Sequence, residues 1–190
     1  DAGLETRKPI LFVATVGEEG AGNLRGSRYL FQESVYAGRI SCFISLDGPG
    51  LEQIVNTAIG VRRLRATIFG SGGHSWSDYG TPNPIHAVGR AIAFLAEHPL
   101  PAQSSLSVGS IGGGSSINSI PTEAWMEVDL RSKLSLDVLE GIFREAVSSA
   151  LELEHRNCPV DKRLRSEIVV MGDRPSGSIT ESAQMVRLAI

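Results

Sequence analysis

Val61-Arg62-Arg63-Leu64-Arg65-Ala66-Thr67-Ile68-Phe69 alternates in the period-2 manner of a half-exposed strand, and the order of elements after it decides the fold. Pro84 to His98 reads as a helix, with Ile85, Val88, Ile92 and Leu95 on one face, Asn83 as its cap and Pro99 as its stop. Ser105 to Ile111 and Ala124 to Leu130 are predicted strands joined by a Gly/Ser-rich turn. A long helix, Ser135 to Glu154, carries Leu136, Leu139, Ile142, Phe143, Ala146, Val147 and Leu151 on its apolar face. Glu167 to Met171 is a last strand. The block from Val61 to Gly172 therefore spells β-α-β-β-α-β, the ferredoxin-like split unit.

Upstream the pattern differs. Ile10-Leu11-Phe12-Val13-Ala14-Thr15-Val16 is a continuous apolar run, the pattern of a strand covered on both faces. Asn23 to Ser34 has near-helical spacing with Asn23 as N-cap. Arg39 to Leu46 is a second predicted strand, stopped by Asp47-Gly48-Pro49-Gly50. This reads as the start of a parallel α/β layer. Glu52 to Gly60 alternates as a further half-exposed strand. Downstream, Asp173 to Gly177 reads as a linker and Thr180 to Ile190 as a helix cut short.

Composition narrows the function. With 42% hydrophobic and 21% charged residues, the 190-residue chain is an ordinary globular one. A net charge of −3 argues against a nucleic-acid partner. Cys42 and Cys158 are too few for a disulfide scaffold and too far apart for a metal knuckle. No apolar stretch approaches the roughly 20 residues that span a bilayer, so no membrane partner is expected. The N-terminal Asp1 to Lys8 is charged, carries no secretory signal and lacks a Met, which reads as an internal start within a longer, cytoplasmic protein.

Glycine is the outlier, at 21 residues. The glycines cluster at the ends of apolar runs, where backbone must approach something closely. Gly17-Glu18-Glu19-Gly20 places two carboxylates where α/β sheets open their ligand crevice. One of them can hold a metal while the other faces a metal-bound water; a solvated acidic loop is the equal alternative. A dinucleotide reading of Gly20-x-Gly22-x-x-x-Gly26 is the weaker alternative, because Glu18 and Glu19 would lie beside the pyrophosphate and oppose its binding. Asp47 lands beside the Glu pair if the two upstream strands are neighbours, although an Asp before Gly-Pro-Gly is a turn former first. His74, in Gly70-Ser71-Gly72-Gly73-His74-Ser75, projects from a turn stripped of bulk, whereas His86, His98 and His155 read as structural. Asn118, in Asn118-Ser119-Ile120-Pro121, can donate to a carbonyl oxygen. Arg131, in Asp129-Leu130-Arg131, can clamp a carboxylate or pair with Asp129 or Asp137.

In this order the motifs resemble the co-catalytic zinc hydrolases that include peptidase T, acetylornithine deacetylase, aminoacylase and glutamate carboxypeptidase. The resemblance implies an α/β fold: a partial parallel-sheet zinc-hydrolase catalytic domain at 1–60, an inserted α+β ferredoxin-like dimerisation or lid domain at 61–172, and a return segment at 173–190. It implies a homodimer whose parent protein cleaves an amide bond of a short peptide or N-acyl amino acid. By position, Glu18 is similar to the general base, and Glu19 and Asp47 to zinc ligands of a two-zinc site. His74 is similar to the histidine that polarises the scissile carbonyl in the partner subunit, and Asn118 and Arg131 to the residues that hold the substrate's carbonyl and carboxylate. The family's His-x-Asp motif and its last histidine ligand are absent from this chain, which leaves two metal ligands where a catalytic zinc takes three. The alternative expectation is a dimerisation or structural module without activity of its own.

Overall fold

The computed structural model describes residue 3, residues 5–48, residue 50, residues 52–156 and residues 158–190. Pro49 of the predicted turn, and Asp1, Ala2 and Leu4 of the N-terminus, lie outside the described residues. Contacts divide the chain into two units, residues 1–49 and 50–190.

The first unit is built on close backbone contacts. A 3-10 turn, Gly20–Gly22, leads into helix α1, Arg25–Gln32. The Gly26 amide donates to Val16 O at 3.0 Å, and a Cβ at Gly26 would lie 2.7 Å from Val16 N, so only glycine lets the helix approach that run. Phe31 and Phe43 meet edge to face at 5.2 Å between ring centroids. Asn23 is not the helix cap that its sequence suggests. It adopts left-handed φ of 48° and closes the 3-10 turn, while Leu24 occupies the N-cap position without a side-chain bond.

The two apolar runs predicted as buried parallel strands form no ladder. Residues 10–16 and 40–46 are assigned to no helix or sheet, residue 39 closes a turn, and Phe12 is 91% exposed. A strand covered on both faces needs neighbouring strands and helices, and the described residues provide none for these runs. β-Branched composition encodes the propensity; the ladder has to come from elsewhere in a fold.

The second unit opens with strand β1, Thr57–Ala58, and continues into β2, Gly60–Phe69, and β3, Gly73–His74. Of the strand predicted over Glu52 to Gly60 only β1 and the first residue of β2 form, Thr57 and Ala58 pairing with β8 and Gly60 with β6. Helix α2, Pro84–Glu97, follows, then β4, Ser104–Gly113, β5, Ser119–Ile120, and β6, Glu123–Ser132. Helix α3, Leu136–Glu154, leads through a 3-10 turn to β7, Arg165–Arg174, then β8, Gly177–Ser178, and helix α4, Gln184–Ala189. The predicted linker after Met171 is thus mostly strand.

Four strands form one antiparallel sheet in the order β4-β6-β2-β7, the order of a ferredoxin-like split unit. Asn83 caps α2 by accepting the Ile85 amide at 2.9 Å, with Pro84 in the first turn. Both long helices cover one face of the sheet. Leu64, Ala66 and Ile68 of β2 and Met126, Val128 and Leu130 of β6 pack there against Ala87, Ala91, Leu139, Phe143 and Ala146. Each large side chain buried in this layer contributes about 1.5–3 kcal/mol.

Carboxylates on both faces explain why β2 can carry three arginines. Arg63 sits opposite Asp129 and Arg65 opposite Glu127, with contacts of 3.0 and 2.9 Å. Arg65 also lies 4.0 Å above the Trp125 ring, and Arg165 lies 4.1 Å above Phe69. Arg62, on the helix side, bridges Asp137, Glu140 and Asp173. These carboxylates hold its guanidinium proton more tightly than usual, Asp137 first and then Asp173, against the cost of desolvation. No described helix is long and apolar enough to cross a membrane.

Candidate functional site

The residues singled out in the sequence fall into three places. Glu18 and Glu19 stand between Val16 and the 3-10 turn, Glu18 half-buried and Glu19 exposed. The Glu19 carbonyl accepts the Gly22 amide at 2.9 Å, which orients this loop. In the same loop the buried Asn23 Oδ1 has no hydrogen-bond donor among the described residues. Asp47 is exposed at the end of the second extended run. Among the described residues, no group of three or more His, Cys, Asp or Glu could hold a metal ion. Carboxylate oxygens from two residues do not make a catalytic zinc site, so the donor set present does not fit that metal by itself.

His74 and Asn118 come together although the sequence holds them far apart. Strands β3 and β5 pair with His74 opposite Ser119 and Gly73 opposite Ile120, and the Ser75 amide donates to Asn118 O at 3.0 Å. Both side chains are exposed at the tip of this small ladder. Their surroundings are ordered by hydrogen bonds. Asp78 Oδ2 accepts the His74 amide at 2.8 Å and the Ser77 hydroxyl at 3.2 Å, and the Asp78 amide returns a bond to His74 O at 3.0 Å. The His74 amide, and then the Ser77 hydroxyl, hold the Asp78 carboxyl below the usual carboxylate range. Gly73 is required here: a Cβ on it would lie 2.8 Å from Asp78 Cβ.

Two further bonds set the side chains themselves. His74 Nδ1 accepts the Trp76 amide at 3.2 Å, and Asn118 Oδ1 accepts the Ser116 hydroxyl at 2.6 Å. Asp78, Ser116 and the Trp76 amide are bonding partners of these candidate residues that sequence reading missed. The one available signal was the Asp four residues after His74, a spacing that closes a helical-type turn.

Arg131 lies elsewhere. Its Nε contacts Asp129 Oδ2 at 2.6 Å, the intrastrand pairing weighed from sequence. Burial disfavours ionisation of Asp129, but Arg131 and Arg63 outweigh it, so the carboxyl sits below its usual range. In β6, Arg131 faces Val61, whereas Glu123 at the other end faces Phe69, just before the His74 turn. Eight residues at ~3.4 Å each put the two ends roughly 27 Å apart. The remaining histidines are structural or peripheral. His98 stacks on Phe94, and His155 Nε2 accepts the Leu164 amide at 2.8 Å. Desolvation, with help from Arg163, lowers the His155 pKa. Cys42 and Cys158 are both free thiols.

Residues 57–154 match the model of the M20 peptidase dimerisation domain. Among solved structures, aminopeptidase PepT from Bacillus cereus ATCC 10987 superposes with a TM-score of 0.59 at 19% identity, covering 75% of this chain and 37% of that one. The aminobenzoyl-glutamate utilization protein from Klebsiella pneumoniae gives 0.57 at 17% identity, covering 65% of this chain and 30% of that one. A tripeptidase from Staphylococcus aureus subsp. aureus Mu50 gives 0.55 at 16% identity, covering 71% of this chain and 35% of that one. The chain thus spans about a third of the length of these proteins, and at such identities the likeness is one of fold. No curated protein matches it.

Proposed function

The chain belongs to the M20 peptidase dimerisation-domain family, and from that premise we propose that its parent is a metal-dependent hydrolase cleaving an amide bond of a short peptide or N-acyl amino acid. In this reading residues 1–60 are part of the catalytic domain, 61–172 form the dimerisation unit and 173–190 return to the catalytic domain. Glu18 is the general base, and Glu19 and Asp47 are ligands of a zinc pair whose other ligands lie outside this chain. When bound, zinc lowers the pKa of a water molecule and polarises a carbonyl. The two free thiols suit a reducing compartment such as the cytoplasm.

The observation that supports the reading is the division of His74, Asn118 and Arg131, the residues it assigns to substrate, between the two ends of the sheet. His74 and Asn118 share one end, while Arg131 sits at the other, where the chain joins the unit through β1 and leaves it through β8. One substrate cannot touch groups roughly 27 Å apart on one sheet. A site that takes Arg131 from one copy, and His74 and Asn118 from a second, removes the conflict. That arrangement makes the homodimer part of the chemistry.

Complementation tests it. The full-length protein is assayed on short peptides and N-acyl amino acids, with and without chelator. His74→Ala and Glu18→Ala variants are each expected to be nearly inactive. Random reassortment of a two-fold dimer would restore about a quarter of the wild-type sites on mixing. Hydrolysis untouched by chelator, or no recovery on mixing, refutes the reading. A second reading, a dimerisation module with no activity, is favoured by the lack of a three-ligand cluster among the described residues. It predicts no tight zinc binding by the full-length protein in equilibrium dialysis.

A further inference from the structure

The geometry points to an oxyanion site at the start of β7, in which Arg163 and Arg165 hold a phosphate group, free or carried on a small ester. It shares no residue with the arrangement of His74, Asn118 and Arg131, and it stands whether or not the parent protein is a hydrolase.

The backbone brings the two guanidiniums to one side. Arg163 is extended, with φ −63° and ψ 141°, and Arg165 opens β7. Side chains two residues apart in an extended segment project from the same side. Leu164 between them turns the other way, into the core, where it is buried. Its amide donates to His155 Nε2 at 2.8 Å, and a Cβ on Gly70 would lie 2.8 Å from Leu164 Cδ2. The segment is thus anchored from beneath. Both arginines line an open cleft of about 320 Å³ together with Phe69, Gly70, Thr122 and Glu123. That volume is at the low end of the roughly 300–1,000 Å³ of small-molecule sites.

Company sets this pair apart. Arg62, Arg63, Arg65, Arg90, Arg131 and Arg144 each meet a carboxylate within 3.1 Å. Among the described residues, Arg163 and Arg165 form no ion pair of that kind, although Glu123 lines the same cleft. Arg65 offers the comparison: it lies over Trp125 and also bonds Glu127 at 2.9 Å. Arg165 lies over Phe69 in the same way, 4.1 Å from the ring centroid, without the carboxylate. A guanidinium stacked on a ring is held in place while its in-plane N–H groups stay available. Two such cations in one cleft repel each other until an anion joins them. A phosphate group, with a charge of about −1.5 to −2 at pH 7, matches the pair better than a single carboxylate does. The Thr122 hydroxyl is a further donor at the wall. Glu123 opposes the anion and limits its affinity.

The test is an NMR titration of the ¹⁵N-labelled 190-residue chain with sodium phosphate, run against sodium chloride at equal ionic strength. Phosphate should shift the amide signals of Gly70, Thr122, Glu123 and Arg165 in a saturable way, and chloride should not. A parallel titration with methyl phosphate separates the sources, tighter binding of one or the other assigning the site to an ester or to the free ion. Arg163→Gln and Arg165→Gln should each weaken binding at least about tenfold while the other sheet signals stay in place. Arg144→Gln, which removes a carboxylate-paired arginine of α3, should leave binding unchanged. Glu123→Gln should tighten it. Shifts that do not saturate, equal shifts with chloride, binding that survives both arginine changes, or a weaker site in Glu123→Gln overturns the inference. Acetate that saturates the cleft as tightly as phosphate overturns the choice of phosphate.

Discussion

Gly89→Arg separates folding of the sheet unit from its self-association. The sheet has two edges, β4 and β7, and they differ in protection. Each edge strand has one register shift against its neighbour, but β7 also carries Arg165, Glu167, Asp173 and Arg174. β4, Ser-Ser-Leu-Ser-Val-Gly-Ser-Ile-Gly-Gly, has no charge at all and leaves Ile111 62% exposed. Open, uncharged edges invite strand pairing, so β4 is the expected seam of a two-fold dimer. Helix α2 flanks that edge, since a Cβ on Gly114, just after β4, would lie 3.2 Å from Ile85 Cδ1. Ile85, Gly89, Ile92 and Ala96 form an uncharged stripe along α2 at helical spacing. A Cβ at Gly89 meets nothing within 4 Å, so arginine fits the isolated subunit. Removing a glycine from a helix interior should even stabilise that subunit, by about 0.5–1 kcal/mol. In the dimer the two-fold axis presents the new charge twice. With allowance for snorkelling, each unpaired cation costs about 2 kcal/mol, or roughly 4 kcal/mol in all. At 1.4 kcal/mol per decade this weakens the dimer about a thousandfold. Sedimentation velocity over a dilution series reads the dimer, and urea denaturation of the dilute monomer reads the fold. An unchanged dimer affinity in the variant, or a wild-type chain that stays monomeric at high concentration, refutes the assignment of the seam.

Phe143 is fully buried between α3 and the sheet, so Phe143→Ala should lower unfolding stability by about 3–5 kcal/mol in denaturant titrations. Asp129, held below its usual range, adds stability that is complete above about pH 4 and is lost as pH falls through its folded pKa; Asp129→Asn should flatten that acid limb in a series of thermal melts. His155 has a depressed pKa, so the unfolded chain takes up its proton first. Stability should fall as pH drops from about 6.5 toward the folded value, and His155→Gln should remove that slope.

The sheet unit was legible because its signals are local. The helices of α2 and α3 follow from apolar spacing, and Asn83-Pro84 marks a start that the structure keeps. Strand β7 is longer than its apolar core, since Arg165 and Arg174 pair with β2 through main-chain bonds that side-chain polarity does not reveal. The ladder of β3 with β5 was invisible for a related reason. It consists of two residues a side, too short for any periodicity, yet it brings His74 to Asn118. The upstream runs failed in the opposite way. Ile10 to Val16 has every local mark of a buried strand, but burial is a property of neighbours, and the described residues supply none. Asn23 shows the limit of capping rules, because its amide closes the preceding 3-10 turn and Leu24, also left-handed, takes the N-cap position.

The pairing of β1 with β8 has a mechanical meaning. Thr57 faces Ser178 and Ala58 faces Gly177, and Asn56 adds a main-chain and a side-chain bond to Ile179. Both covalent leads of the sheet unit are therefore gathered into one ribbon, with its strands about 5 Å apart. A load applied along the two leads peels this ribbon open one rung at a time, like a zip, before it reaches the ten-residue strands behind it. A two-stranded ribbon also bends readily across its flat face and resists bending in its plane.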